Sequence, residues 1–261
     1  MFGERERNIF KKLELNYQAV AVKFCRNRPE GIPHAEEKDP LCAFLAKAQQ
    51  SDSPFYITVD NEDCMGKTVL GMKGLDDTVD GSVHGSGYMG ANLGAFRTPA
   101  ANARLYYEAP MMKRNIVNYV VFCPVSACDF NPDLIVCVAD TEKSEIILRA
   151  SSYISGDVWE SKCSFVMSCS WTYVYPYISG KINHLFTGMH LGLKKKGFYP
   201  PGLHILSIPY QKLPELMDAL EEMDWELPFL GHGPETEKLE AEMNEYMGKV
   251  KNDIEFPYPI K

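Results

Sequence analysis

Two strongly apolar segments, NYVVFCPV (118–125) and LIVCVAD (134–140), constrain the fold more than any other feature of the chain. Both are rich in β-branched residues and the turn DFNPD lies between them, so each predicts a buried strand. Further strands are predicted at AVAVKFC (19–25), PFYITV (54–59) and GLHILSIPY (202–210). Helical patterns occur between the strands without strict strand–helix alternation, which favours an α+β fold of mixed sheet and surrounding helices.

Helical spacing predicts helices over about 4–15 and 41–50, and Thr98 followed by Pro99 predicts a further helix start. The segment CSFVMSCSW (163–171) predicts one more strand, and NHLFTGMHLGLKKKG (183–197) a short helix or broken turn. The glycine-rich stretch from 66 to 94 predicts turns and irregular strand.

The predicted domain organisation is a single α+β domain over 1–227, built as one body or as two closely packed lobes. The chain has enough apolar residues (45% of 261) for a full core. Residues 228–261 predict a linker, a charged helix and a proline-rich tail. An apolar stripe runs along that helix, formed by Leu239, Met243, Met247 and Val250. We expect the stripe to dock on the body of the protein or on a second subunit of a homodimer.

The net charge of −8 opposes a dominant role in binding nucleic acid, which needs a basic surface. No stretch approaches the roughly 20 apolar residues of a membrane helix, and the charged N-terminus does not resemble a signal peptide. We therefore expect a cytoplasmic protein without a membrane partner. In that reducing compartment the eight cysteines are not expected to form a disulfide framework.

The loop VDNEDCMGKTVLG (59–71), which follows the second strand, and the acidic stretch after it have four interpretations: a nucleotide loop, a calcium loop, a reactive thiol and a metal site. The nucleotide loop is disfavoured because Asn61 occupies its first glycine position and glycines interrupt the following helix. A calcium loop over 76–87 is also disfavoured, because Gly87 occupies the position of the bidentate glutamate.

The two remaining interpretations concern Cys64 itself. Glu62 and Asp63 precede it, and their negative charge would raise the pKa of a thiol that nucleophilic catalysis needs low. The same acids favour a bound cation, which deprotonates a coordinating thiol. One cysteine does not make a site, so any further ligands must come from elsewhere in the chain.

Several segments in the same order resemble the Domain of Unknown Function 169 family. They are AVAVKFC, LCAFLAKAQ, YITVDNEDCMGKTVLG, YVVFCPVSACDFNPDLIVCVADTEKSEIILRASSYISG, PYISG and ILSIPYQKL, and together they span about 8–222. The family comprises cysteine-rich proteins of archaea and anaerobic bacteria. The resemblance implies a role in anaerobic metabolism but supplies no activity.

The resemblance also selects cysteines. Cys42, Cys64 and Cys169 match family cysteines, and His190 stands near the place of a further one. If the four converge, the resemblance implies a site for zinc or an iron–sulfur cluster in a redox or cofactor-handling protein. The alternative is that Cys42 and Cys169 are core residues, as Cys123 and Cys137 within strands are expected to be.

A second hypothesis is a pocket for a small organic ligand in the glycine-rich stretch 81–94, with structural cysteines. Its candidate ligand-binding residues are His84, Gly87, Gly90 and Arg97, with aromatic walls from Tyr88, Phe96, Tyr173, Tyr175 and Tyr177. The expected partner is then a small molecule, rather than the redox partner protein of the first hypothesis. A third hypothesis is a subunit whose main role is assembly. Whether the chain is an enzyme stays open.

Overall fold

The structure is a computed structural model that describes residues 2–73, 85–226 and 234–253. Its strands are β1 (Tyr17–Cys25), β2 (Phe55–Ile57), β3 (Tyr119–Pro124), β4 (Leu134–Ala139), β5 (Asn183–Phe186) and β6 (His204–Pro209). They form one antiparallel six-stranded sheet in the order β2-β3-β1-β4-β6-β5.

The following helices occur among the described residues. They are α1 (Glu4–Lys12), α2 (Leu41–Ala48), α3 (Gly66–Val69), α4 (Tyr88–Asn92), α5 (Pro99–Glu108), α6 (Thr141–Tyr153), α7 (Tyr175–Ser179), α8 (Leu191–Lys196), α9 (Leu213–Glu222) and α10 (Pro234–Asp253). A π-helix (Ser170–Val174) leads directly into α7. The protein is an α+β fold, as predicted.

The two apolar segments that follow one another in sequence are not neighbours in the sheet, because β1 lies between them. Val22 of β1 pairs with Phe122 on one side and with Leu134 on the other. All six residues of β4 are buried. A strand buried on both faces carries an unbroken apolar run, which explains the sequence pattern of this segment.

The two faces of the sheet carry different helices. Val120 and Phe122 belong to the core cluster that also contains Phe44 of α2 and Tyr173 of the π-helix. Because side chains alternate along a strand, the neighbouring Cys123 faces the opposite side. Helices α6 and α9 pack together there, α1 packs on α9, and α6 contacts β4 and β6. The candidate thiols therefore lie on the α2 face, away from Cys123.

Helix caps follow the sequence where polar residues are available. Thr98 caps α5, its side chain accepting from the Ala101 amide at 3.2 Å, as predicted. Helix α6 is capped by Asp140, whose carboxylate accepts from the Lys143 amide at 2.9 Å. The helix begins at Thr141, directly after this cap.

Three local predictions were wrong. CSFVMSCSW does not form a strand. Its first half is irregular, with Cys163 and Phe165 exposed, and the π-helix begins at Ser170, near its end. A short apolar run fits either a strand or a helix. In the glycine-rich stretch, Tyr88–Asn92 is helical. NHLF, the start of the segment assigned to a helix or turn, forms edge strand β5, and the helix of that segment begins only at Leu191.

The chain divides into two compact units, Met1–Met223 and Asp224–Lys261. In the second unit α10 exposes Met243, Tyr246 and Met247, while Leu239 is half-buried. Docking of this helix on the body or on a second subunit stays a prediction. Within the described residues, no helix combines the length and apolarity needed to cross a bilayer.

Candidate functional site

The loop that carries Cys64 is organised by a buried carboxylate. Glu62 is 1% exposed and accepts hydrogen bonds from the backbone amides of Cys64 and Lys67 at 3.0 Å and of Leu41 at 3.2 Å. Burial raises the pKa of Glu62, and the three amides oppose that rise. Because Leu41 begins α2, this one side chain joins the Cys64 loop to the helix that carries Cys42.

Asn61 fixes the other side of the loop. Its side-chain oxygen accepts from the Thr58 amide at 2.9 Å, and its amide nitrogen donates to the Ala35 carbonyl at 2.8 Å. A glycine at this position would lack all of these bonds. One helical turn, α3, lies within the loop and ends at Val69; Gly71 follows with a φ of 67°, so a glycine interrupts the helix there, as predicted.

Cys42 lies in the first turn of α2 and is 4% exposed. Its sulfur rests against the backbone of Gly192 in α8, where a β-carbon would come within 2.7 Å of it. The absence of a side chain at Gly192 therefore lets α2 and α8 approach each other, and it sets the position of the thiol.

Cys169 is half-buried and immediately precedes the π-helix. Met167, two residues earlier, has a φ of 63°, a conformation that side-chain-bearing residues rarely adopt. Turns of π-helix and strained residues both occur preferentially at functional sites. The Ser168 hydroxyl donates to the Met189 carbonyl at 2.8 Å and ties this segment to the one before α8.

The three cysteines lie close enough for their charges to interact. Burial, then the charges of Cys64 and Glu62, raise the pKa of Cys42 to about 12. The pKa of Cys169 is raised well above its usual range by burial and then by the charges of Cys42, Cys64 and Glu62. Cys64 itself is exposed. We call Cys42, Cys64 and Cys169 the thiol cluster.

Two tyrosines border the thiol cluster. The pKa of Tyr173 is raised well above its usual range by burial, then by the charges of Cys169 and Cys42. Burial and then Cys42 also raise the pKa of Tyr199, whose hydroxyl donates to Gln49 at 2.5 Å. Tyr173 is 1% exposed, and its hydroxyl has no hydrogen-bond partner among the described residues.

Among the described residues, two more buried hydroxyls, on elements next to the thiol cluster, also lack a partner. Ser170 follows Cys169 directly, and Thr68 lies on α3, which packs against the π-helix. Within the described chain neither hydroxyl has a hydrogen-bond partner. Buried polar groups are nearly always paired, so these unpaired hydroxyls depart from the usual pattern.

His190 contacts a hydroxyl of the π-helix. Its Nε2 lies 2.7 Å from the Thr172 hydroxyl of the π-helix, and burial lowers its pKa to about 3. No cysteine charge contributes to that shift. His190 thus ties the π-helix to the start of α8, and its role as a fourth metal ligand stays a prediction.

The cluster is not a ready-made metal cage. Among residues 2–73, 85–226 and 234–253, no three His, Cys, Asp or Glu side chains are already placed to hold a metal ion. A metal bound by Cys42, Cys64 and Cys169 would therefore require side-chain movement, for which the exposed Cys64 is the best placed of the three.

The two glycines among the candidate residues of the glycine-rich pocket have a packing role. A β-carbon at Gly87 would lie 1.8 Å from the Pro99 carbonyl oxygen, and one at Gly90 2.7 Å from Asn102. Both glycines therefore let α4 approach α5. Arg97 is exposed beside the start of α5. His84 lies outside the described residues, so ligand binding by these four stays a prediction.

The remaining cysteines lie outside the cluster. Cys123 and Cys137 are fully buried in strands, as predicted, whereas Cys163 is exposed and Cys25 half-buried. Sequence reasoning missed Gly192, Thr172 and Tyr199 as neighbours of the site. Their contacts with Cys42, His190 and Gln49 span between 18 and 150 residues of sequence, and no local pattern reveals them.

Fold and site together define an α+β protein with a partly buried thiol cluster beside an acidic loop. The chain matches the profile of the DUF169 family, described as uncharacterised ArCR, over residues 8–219, and it belongs to that family. An uncharacterized protein of Methanocaldococcus jannaschii is 23% identical over 221 residues, covering 84% of this chain and 93% of the relative. No solved structure matches the chain significantly.

Proposed function

We propose that the thiol cluster binds a thiophilic metal, as a zinc ion or an iron–sulfur cluster, and gives the protein a redox or cofactor-handling role. The observation that carries the proposal is that Cys42, Cys64 and Cys169 lie close enough to one another and to Glu62 for the charges they would carry when ionised to repel one another. A cation relieves that repulsion, and thiolate sulfur is the ligand that zinc and iron–sulfur clusters prefer.

The same repulsion disfavours the thiolate that a nucleophilic cysteine needs. A catalytic cysteine needs its pKa lowered, but the pKa values of Cys42 and Cys169 are both raised. Nearby cations are already engaged: the Lys67 ammonium donates to the Glu62 carbonyl at 2.7 Å, and Lys196 is paired with Asp39. At neutral pH the thiols of Cys42 and Cys169 therefore keep their protons until a metal replaces them.

The unpaired hydroxyl of Tyr173 supports a ligand rather than an empty core. Burying a hydroxyl without a partner costs about 1–3 kcal/mol, and a simple apolar core would avoid this with phenylalanine. A sulfide of a cluster, or a water or anion bound to zinc, would accept the hydrogen bond that Tyr173 otherwise lacks. The π-helix brings that hydroxyl to the same side as Cys169.

The test is an anaerobic titration of the metal-stripped protein with zinc and, separately, with iron and sulfide. The single variants Cys42→Ala, Cys64→Ala and Cys169→Ala are expected to lose at least tenfold in metal affinity. Cys137→Ala is the matched control for a buried thiol and Cys163→Ala for an exposed one. Binding that survives all three cluster variants, or is lost equally in the controls, would overturn the proposal.

A second candidate function, binding of a small organic molecule, is favoured by one cavity. It has a volume of about 380 Å³ and its largely apolar lining includes Phe186, Leu193 and Tyr199. Since Tyr199 also interacts with Cys42, the cavity and the thiol cluster share a wall. Native mass spectrometry would reveal a co-purified organic molecule; its loss in Leu193→Trp, with metal content unchanged, would support this candidate.

A further inference from the structure

Two histidines lie together at the edge of the sheet, on the face away from the thiol cluster. His184 belongs to β5, the last strand of the sheet, and His204 is the first residue of β6. Their sequence neighbours Leu185 and Ile205 belong to the core cluster of the α2 face. Because side chains alternate along a strand, His184 and His204 both point to the opposite face, where α6 contacts β6.

The two imidazoles are in direct contact. Nε2 of His184 lies 2.7 Å from Nδ1 of His204, and the ring planes are 14° apart. A hydrogen bond between two imidazole nitrogens uses one N–H and one lone pair, so at least one ring is neutral. Burial lowers the pKa of both histidines, although the charge of Asp140 opposes this at His204. At neutral pH both rings are therefore in the form that binds metals.

Neighbouring groups hold the two rings in place. The Thr141 hydroxyl lies 3.3 Å from Nε2 of His204, the nitrogen that faces away from His184. A hydrogen bond to the far nitrogen is the usual accompaniment of a metal-binding histidine. Trp159 contacts the His184 ring edge to face at 6.0 Å, and the Phe186 ring lies 5.2 Å from that of His204. Both histidines are only half-buried, so an ion in solution reaches them.

The spacing of the two nitrogens favours one kind of coordination. At metal–nitrogen distances of about 2.0–2.1 Å, two ligands at a right angle stand about 2.9 Å apart, and two at the tetrahedral angle about 3.4 Å. The observed 2.7 Å is closer to the right angle. Right angles are typical of the square-planar and tetragonal complexes of nickel(II) and copper(II), whereas zinc prefers a tetrahedron.

We propose that His184 and His204 form a chelating site for nickel(II) or copper(II), separate from the thiol cluster. Nε2 of His184 and Nδ1 of His204 bind the ion, and the proton between them moves to the far nitrogen of the ring that carried it. His204 then donates from Nε2 to Thr141, and water completes the coordination. In the described ranges of the chain, no third His, Cys, Asp or Glu is placed to join the pair, so a chelator should remove the ion readily.

The test follows the histidine ring nitrogens by NMR while nickel(II) chloride is added anaerobically to the untagged, full-length protein carrying isotope-labelled histidine. We expect the ring signals of His184 and His204 to shift or broaden together. They should do so at a nickel concentration at least tenfold lower than the one that affects His34, an exposed histidine bonded to Asn61. No response of the pair at saturating nickel, or an equal response at His34, would overturn the proposal.

Variants distinguish a chelate from binding by single histidines. His184→Gln and His204→Gln should each raise the nickel concentration needed at the remaining ring at least tenfold; an unchanged response there would contradict a chelate. Thr141→Val should weaken nickel binding about tenfold, as loss of a hydrogen bond to a metal-binding histidine typically does. It keeps the cap of α6, which Asp140 provides. The wild-type titration alone decides the outcome if a variant fails to fold.

The histidine site does not depend on the proposed function of the thiol cluster. The variant that lacks Cys42, Cys64 and Cys169 should show the same response at His184 and His204 as the wild type. A histidine response that disappears with the three cysteines would mean that nickel binds at the thiol cluster, and it would overturn the proposal of a separate site.

Discussion

The sulfur of Cys42 rests on the backbone of Gly192, where a β-carbon would lie 2.7 Å away. This contact joins α2 to α8, two elements that sequence separates widely, and it holds one thiol of the cluster in place. The contact makes Gly192 part of the site although it carries no functional group of its own.

Gly192→Ala is expected to displace the Cys42 thiol, because the new methyl group overlaps the sulfur. Overpacking of this kind costs about 1–3 kcal/mol of unfolding free energy, more than the intrinsic gain of alanine in a helix. Chemical denaturation and metal titration measure both effects. Gly188→Ala is the matched control, since a β-carbon there meets no atom within 4 Å; equal effects of both changes would contradict the role of the contact.

Glu62→Ala should destabilise the loop that carries Cys64. It leaves the amides of Leu41, Cys64 and Lys67 without their acceptor, at a cost of about 3 kcal/mol or more. Glu62→Gln keeps one acceptor oxygen and should cost less. Denaturation curves for the two variants should therefore rank wild type, glutamine and alanine in decreasing stability, and an alanine variant as stable as the wild type would refute this.

Tyr173→Phe and Tyr199→Phe should act in opposite directions on the metal-free protein. Tyr173 loses a hydroxyl without a partner, so the unfolding free energy should be unchanged or rise by about 1 kcal/mol. Tyr199→Phe removes the hydroxyl that donates to Gln49 and should lower the unfolding free energy by about 1 kcal/mol. In the metal-loaded protein Tyr173→Phe should weaken metal binding. If Tyr173→Phe instead destabilises the metal-free protein, the Tyr173 hydroxyl already has a hydrogen-bond partner there, contrary to this account.

His190 should make folding sensitive to acid. Its pKa is about 3 in the folded protein and about 6.5 when unfolded, so its contribution to stability is complete above about pH 6.5 and is lost as the pH falls toward 3. His190→Gln should therefore show a shallower loss of unfolding free energy between about pH 6.5 and 4. Parallel slopes in wild type and variant would show that the ring is accessible to protons.

The sequence predicted the strands well because burial on both faces leaves unbroken apolar runs, as in β4. It also identified the three cysteines that lie together, through the family resemblance and the acidic neighbours of Cys64. It misassigned 163–171, where the π-helix depends on contacts made by Ser168 and Thr172 with residues near α8. The orientation of His190 depends on that same packing, so its position in the sequence does not indicate which residues its side chain contacts.

The glycines of the predicted pocket illustrate a related difficulty. Gly87 and Gly90 could be read as room for a ligand, but in the structure that room is filled by Pro99 and Asn102 of α5. A substitution such as Gly90→Val would therefore disturb packing whether or not a ligand binds. The sequence does not indicate this packing, because the two glycines contact residues of a different helix, α5.

The most direct test of the thiol cluster is X-ray absorption at the edge of the metal carried by the anaerobically purified protein. We predict a first shell dominated by sulfur, at about 2.3 Å if the metal is zinc. The shell should be lost in the variant that lacks Cys42, Cys64 and Cys169 and kept in Cys137→Ala. A protein that carries no metal, or a shell of oxygen and nitrogen alone, would contradict the proposed function.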